Sequence, residues 1–131
     1  MKGLPIVLKG KVVQGKGLGR TVGMPTANLM ICEGTMPESG VYLTRIEVEG
    51  KVYNSLTNIG KRPSVDDGDN VSVETLILDF NRDIYGKEVV LEILEFLRPV
   101  LKFASLLEVR EQVEEDILEA KKILLDRGLT L

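Results

Sequence analysis

The chain has 131 residues, 44% hydrophobic and 28% charged, with a net charge of −3. This is one domain's worth of sequence, apolar enough to form a core without disulfide or metal staples. Histidine is absent and Cys32 is the only cysteine, which excludes histidine-based proton transfer, Ser-His-Asp and Cys-His nucleophiles, intrachain disulfides and the usual zinc ligand sets.

Proton transfer is left to a carboxylate, Lys, Tyr or water, and a metal would need hard oxygen ligands, which favours magnesium or calcium. Cys32, between Ile31 and Glu33, reads as a half-buried small residue. No apolar run reaches the roughly 18 residues of a membrane span. The opening "MKGLPIVLKG" lacks a signal-peptide core, so a cytoplasmic protein is expected. With net negative charge and no long basic run, nucleic acid is not the expected partner.

In chain order, "IVLKGKVVQ" (6–14) has the Val and Ile content of a strand and runs into a Gly-rich loop. "GVYLTRIEV" (40–48) alternates, with Tyr42, Thr44, Ile46 and Val48 on one face and Leu43, Arg45 and Glu47 on the other. Glu49-Gly50 then makes a tight hairpin turn into "KVYNSLTNI" (51–59). The stretch 60–70, "GKRPSVDDGDN", is rich in Gly, Pro and Asp and reads as a loop. "VSVETLILDF" (71–80) is a strand, "NRDIYGK" (81–87) a turn and "EVVLEILEFL" (88–97) another strand.

After Pro99 the period changes. Val109, Val113, Ile117, Ala120 and Leu124 mark one face of a helix. Ser105 and Glu108 form a capping box at its start, and Gly128 stops it just after Arg127. Short hairpins followed by one helix predict a mainly β protein: a small antiparallel barrel with a C-terminal α-helix laid on it.

The stretch 15–29, "GKGLGRTVGMPTANL", does not fit that regular pattern. It is neither a P-loop nor a dinucleotide fingerprint, since the Lys-Ser/Thr and the glycine spacing are missing. Gly15, Gly17 and Gly19 allow positive φ and let backbone N–H groups converge on an anion, and Lys16 and Arg20 add positive charge. Pro25 fixes the chain before Thr26 and Asn28, whose side-chain oxygens, two residues apart in an extended segment, point the same way. Two neutral hard oxygens suit magnesium when phosphates and waters complete its shell. The segment therefore reads as a cradle for a magnesium-bound polyphosphate. A flexible turn at a strand end, with Thr26 and Asn28 capping it, accounts for the same residues.

At this point the blocks "GKVVQGKGLGRTVGMPTANL", "SGVYLTRIEVEGK", "NIGKRP", "VETLILDF", "DIYGKEV" and "FLRPVLKFASLLEVREQVEEDILEAKK" resemble, in order, those of the ATP-dependent riboflavin kinases. The Pro-Thr-Ala-Asn block is the most specific. The resemblance implies one riboflavin-kinase-like domain over 1–131, folded as a Greek-key barrel of about six strands with a C-terminal helix. It also implies transfer of the γ-phosphate of ATP to the riboflavin 5′-hydroxyl, giving FMN and ADP, with Mg2+ as cofactor. A monomer that uses no nucleic acid or membrane is expected. In bacteria this domain is commonly fused to an FMN adenylyltransferase. No such domain is read here, so FAD synthesis is not expected.

Site roles follow from the same resemblance. Gly15, Lys16, Gly17, Gly19, Arg20, Thr26, Asn28 and Asn58 belong to ATP, with Thr26 and Asn28 also on the metal. Glu74, of the Val-Glu-Thr block, is the base. The strand pattern supports a role for it: Glu74 shares a face with Leu76, Leu78 and Phe80, and partial desolvation there favours a base. A strand-end carboxylate facing water fits the pattern as well. Arg98, Phe103 and Glu108, with Leu97, Pro99 and Ser105 beside them, belong to the flavin side. Val100, Ala104, Leu76 and Leu107 depart from the family's usual Glu, Asp, His and Glu, making the expected flavin pocket less polar. A non-catalytic flavin or nucleotide module on the same barrel is the alternative.

Overall fold

The computed structural model describes residues 3–14, 26–62 and 70–128. Six strands, β1 (Ile6–Val13), β2 (Ala27–Glu33), β3 (Gly40–Val48), β4 (Lys51–Arg62), β5 (Asn70–Ile77) and β6 (Glu88–Arg98), close into a barrel, followed by helix α1 (Leu106–Asp126). The order around the barrel is β1-β2-β5-β4-β3-β6, with every pairing antiparallel. Strands β3, β4 and β5 form a meander, and β2 and β6 return to its two edges, which is Greek-key connectivity.

The expected hairpin is present. Val48 pairs Lys51, and Glu49 and Gly50 both take positive φ, at 52° and 79°, the backbone that a two-residue turn needs to match strand twist. Strand alternation then sorts side chains between two faces. Leu8, Val12, Leu29, Tyr42, Ile46, Val48, Ile59, Val73, Ile77, Leu91 and Ile93 fill the interior. Tyr42 donates its hydroxyl to the Glu38 carbonyl at 2.6 Å and stacks edge-on against Phe96. Gly10 marks a register shift between β1 and β2, where a Cβ would run into the Met30 carbonyl.

On the outer wall, Leu43, Leu56 and Leu94 receive Ala120 and Leu124 of α1, with Leu76, Leu97, Ile117 and Ile123 around them. The helix begins as expected: Ser105 Oγ accepts from the Glu108 N–H at 3.2 Å. The return bond goes one residue further out, since Glu108 Oε2 accepts from the Ala104 N–H at 2.8 Å. At the other end Arg127 is the C-cap and Gly128 takes φ 71°, the left-handed position that terminates helices.

Several expectations need correction. Residues 60–62 belong to β4 rather than to a loop, because Gly60, Lys61 and Arg62 pair Ser72, Val71 and Asn70 of β5. Strand β5 stops at Ile77, and Leu78 and Asp79 form a turn. The predicted apolar face of Glu74 therefore reduces to Leu76, while Phe80 packs with the interior cluster and stacks on Tyr53. Cys32 is exposed rather than half-buried. No described helix is long and apolar enough to cross a membrane.

Candidate active site

The outer wall carries the predicted polar residues. In β5, Val73, Thr75 and Ile77 are buried toward the interior, so Glu74 points outward and is half-buried. Glu74 pairs Asn28 of β2 on one side and Asn58 of β4 on the other. Directly paired residues share a face, with Cα atoms about 4.5–5.5 Å apart. Asn28, Glu74 and Asn58, far apart in sequence, thus form one row across three neighbouring strands. Thr26, half-buried, stands just before the first residue of β2, two positions before Asn28. The row continues through Val41 of β3 to Arg98 of β6.

Two register shifts along the β3–β6 pairing aim the end of β6. They set Phe96 against Tyr42 and put Arg98 opposite Val41, under the helix. There the Arg98 fork meets Asp116 of α1 twice, Nε to Oδ1 and Nη2 to Oδ2, both at 2.8 Å. Gln112 donates to the same carboxylate at 3.1 Å. The Arg98 guanidinium also lies 5.9 Å from the centre of the Phe103 ring. The side chains are only 17% and 6% exposed, so the pair is a largely desolvated, bidentate clamp between strand and helix.

Sequence reasoning missed Asp116. Its signal was an acid three residues after Val113 and four before Ala120, inside the helix's apolar stripe. Of the other residues expected on the flavin side, Phe103 stands beside Arg98, whereas the Glu108 carboxylate is exposed and occupied in capping. Gly15, Lys16, Gly17, Gly19 and Arg20 lie outside the described residues. A separate concavity of about 330 Å³, lined by residues including Arg45, Asn54, Asp79 and Lys121, includes none of the predicted site residues. Along β4, Leu56 of the apolar seam under α1 lies between Asn54 of the concavity and Asn58.

A family model described as flavokinase, riboflavin kinase, matches residues 2–124. The chain belongs to the riboflavin kinase family. It is 38% identical over 121 residues to a bifunctional riboflavin kinase/FMN adenylyltransferase of Bacillus subtilis, covering 90% of this chain and 38% of that protein. It is 36% identical to the Escherichia coli K12 protein of the same description, covering 98% of this chain and 40% of that protein. The chain thus spans well under half the length of these relatives.

Among solved structures, the fold matches part of a macrolide-efflux protein from Streptococcus pneumoniae with a TM-score of 0.85 at 36% identity, over 91% of this chain and 39% of that one. It also matches a riboflavin kinase from Trypanosoma brucei with a TM-score of 0.66 at 23% identity, over 98% and 85% of the two chains. The second likeness bears on the fold alone. The closed antiparallel barrel with its helix is therefore the architecture that the family resemblance implied.

Proposed function

We propose that this chain is the catalytic unit of an ATP-dependent riboflavin kinase, and that the Asn28–Glu74–Asn58 row is where its chemistry takes place. The observation that carries this reading is the row itself. A carboxylate stands between two amides on adjacent strands of a chain from this family.

The reaction needs an acceptor oxygen aligned with the γ-phosphorus and compensation of the phosphate charge, more than covalent help from protein. Glu74 takes the proton of the riboflavin 5′-hydroxyl as that oxygen bonds to phosphorus. The bond from phosphorus to the β–γ bridging oxygen breaks, and its electron pair leaves with ADP. Asn58 flanks Glu74 on the far side from Asn28 and orients nucleotide or acceptor. Gly15, Gly17 and Gly19, with Lys16 and Arg20, bind the phosphates.

Thr26 and Asn28 fit magnesium through two neutral oxygens. Among the described residues there is no group of three or more His, Cys, Asp or Glu, so phosphate oxygens and water would supply the rest of the shell. When bound, the ion would screen charge on the β- and γ-phosphates. On the flavin side Asp116 holds Arg98, and Arg98 in turn backs the Phe103 ring. The ring is then the natural contact for the isoalloxazine plane. The longer relatives' adenylyltransferase activity is not assigned to this chain.

Incubation with riboflavin, ATP and magnesium should yield FMN and ADP by mass detection, and absence of FMN with intact folding rejects the reading. Asn28→Ala should raise the magnesium concentration needed for half-maximal rate. An unchanged metal titration removes Asn28 from the metal site.

A further inference from the structure

Among the described residues, the interior of the barrel is apolar except at one place. Thr44, Ser55, Thr57 and Thr75 are each 0% exposed, and their hydroxyls form a chain. Thr44 Oγ1 lies 2.7 Å from Ser55 Oγ and 2.9 Å from Thr57 Oγ1, and Thr57 Oγ1 lies 2.9 Å from Thr75 Oγ1. The chain crosses from β3 through β4 to β5 and ends beneath the outer row. Thr57 pairs Thr75, one residue along both strands from the Asn58–Glu74 pair, and Thr75 also pairs Ala27, the neighbour of Asn28.

Stability alone gives little reason for hydroxyls here. A buried hydroxyl loses its water and regains only a comparable bond, and replacing both partners with apolar groups of the same shape is close to neutral. Valine would fill about the same volume as each threonine. A chain of hydrogen bonds differs from apolar contact in being directional: its bonds weaken when one strand slides past another, and connected networks of this kind fix a single arrangement. The outer row needs such a device. Among the described residues, the side chains of Asn28, Glu74 and Asn58 make no hydrogen bond or ion pair to one another or to any other described residue. No described residue holds their heads from outside, so within the described structure their placement depends on the backbone that carries them.

We propose that the Ser55–Thr44–Thr57–Thr75 hydroxyl chain is a positioning network that sets the separation of β4 and β5 at the Glu74–Asn58 pair. The inference deepens the kinase reading and rests on it for its catalytic consequence. Thr57 and Thr75 are positioning residues: they touch neither substrate, and they act through the backbone they share with Asn58 and Glu74.

The test is the double variant Thr57→Val/Thr75→Val beside Thr57→Ser/Thr75→Ser, with Ile46→Val as a control for interior packing that removes no hydroxyl. The Val pair should keep the wild-type melting temperature within a few degrees and KM for ATP and riboflavin within about twofold. Its kcat should fall at least about tenfold, the effect of a misplaced base, and amide exchange at residues 74 and 75 should quicken by a similar factor. The Ser pair should restore both, and Ile46→Val should lower the melting temperature with kcat intact. Unchanged kcat in the Val pair overturns the proposal, as does a fall in kcat and melting temperature together that Ser does not repair. If the double Val variant does not fold, Thr57→Val alone carries the same comparison. Should wild type make no FMN, the kinase reading fails by itself, and the exchange rates still decide whether the chain holds the strands.

Discussion

The two faces of the barrel wall differ most sharply across three residues of β5. Val73 and Thr75 are buried in the interior, whereas the side chain of Glu74 between them points outward and bonds to no other described side chain. The inner face is closed by packing and by a continuous hydroxyl chain, so substitutions there act on stability or strand placement. Away from the helix, the outer face presents Asn28, Glu74 and Asn58, which lie outside both apolar clusters, so substitutions in that row act on chemistry. One residue step along a strand separates the two roles, because alternation turns each successive side chain to the opposite face.

The sharpest way to break this contrast is Glu74→Gln. It should lower kcat by roughly 10²- to 10⁴-fold, the usual contribution of a positioned general base, with no change in melting temperature. Near-normal turnover would remove Glu74 from proton transfer, and a large loss of stability would show that the outer face is structural as well. The converse change is Leu91→Ala, at a position 0% exposed. It should cost about 2–5 kcal/mol in urea denaturation, the range for a truncated core leucine, while the folded fraction keeps its kcat.

The helix clamp falls between these extremes. Asp116→Ala leaves the Arg98 guanidinium largely buried and unpaired and should cost about 3 kcal/mol. At the other end of the helix, Arg127 and Glu95 pair at 2.9 Å with side chains 40% and 39% exposed, so Glu95→Ala should cost no more than about 1 kcal/mol. Equal losses from the two variants would contradict the burial argument. A similarly small effect is expected from Ser105→Ala, about 1 kcal/mol for a lost N-cap. It should appear as fraying of the first helical turn in amide exchange.

Much of the secondary structure was legible because its causes are local. The Glu49-Gly50 turn, the alternation of β3, and the Ser105 and Gly128 ends of the helix each depend on residues within about four positions of one another. The errors arise where pairing overrides composition. Gly60 to Arg62 look like loop but are drawn into β4 by β5, and the Leu78–Asp79 turn cuts short an alternation that reads on to Phe80. Strand β2 shows the same limit: its extended start after Pro25 was readable, but its run to Glu33 is held by register with β1. The candidate site divides in the same way. Asn28, Glu74 and Asn58 were each identifiable by motif, but their alignment in one row was not.

By itself the sequence determined the family, the mainly β composition with one terminal helix, and a proton chemistry that has no histidine to use. Only the tertiary structure decided that Glu74 stands between Asn28 and Asn58, that Arg98 is clamped by Asp116, and that four hydroxyls meet beneath the row. The physical reason is that strand register and barrel closure join residues tens of positions apart, through backbone pairing that no local pattern encodes.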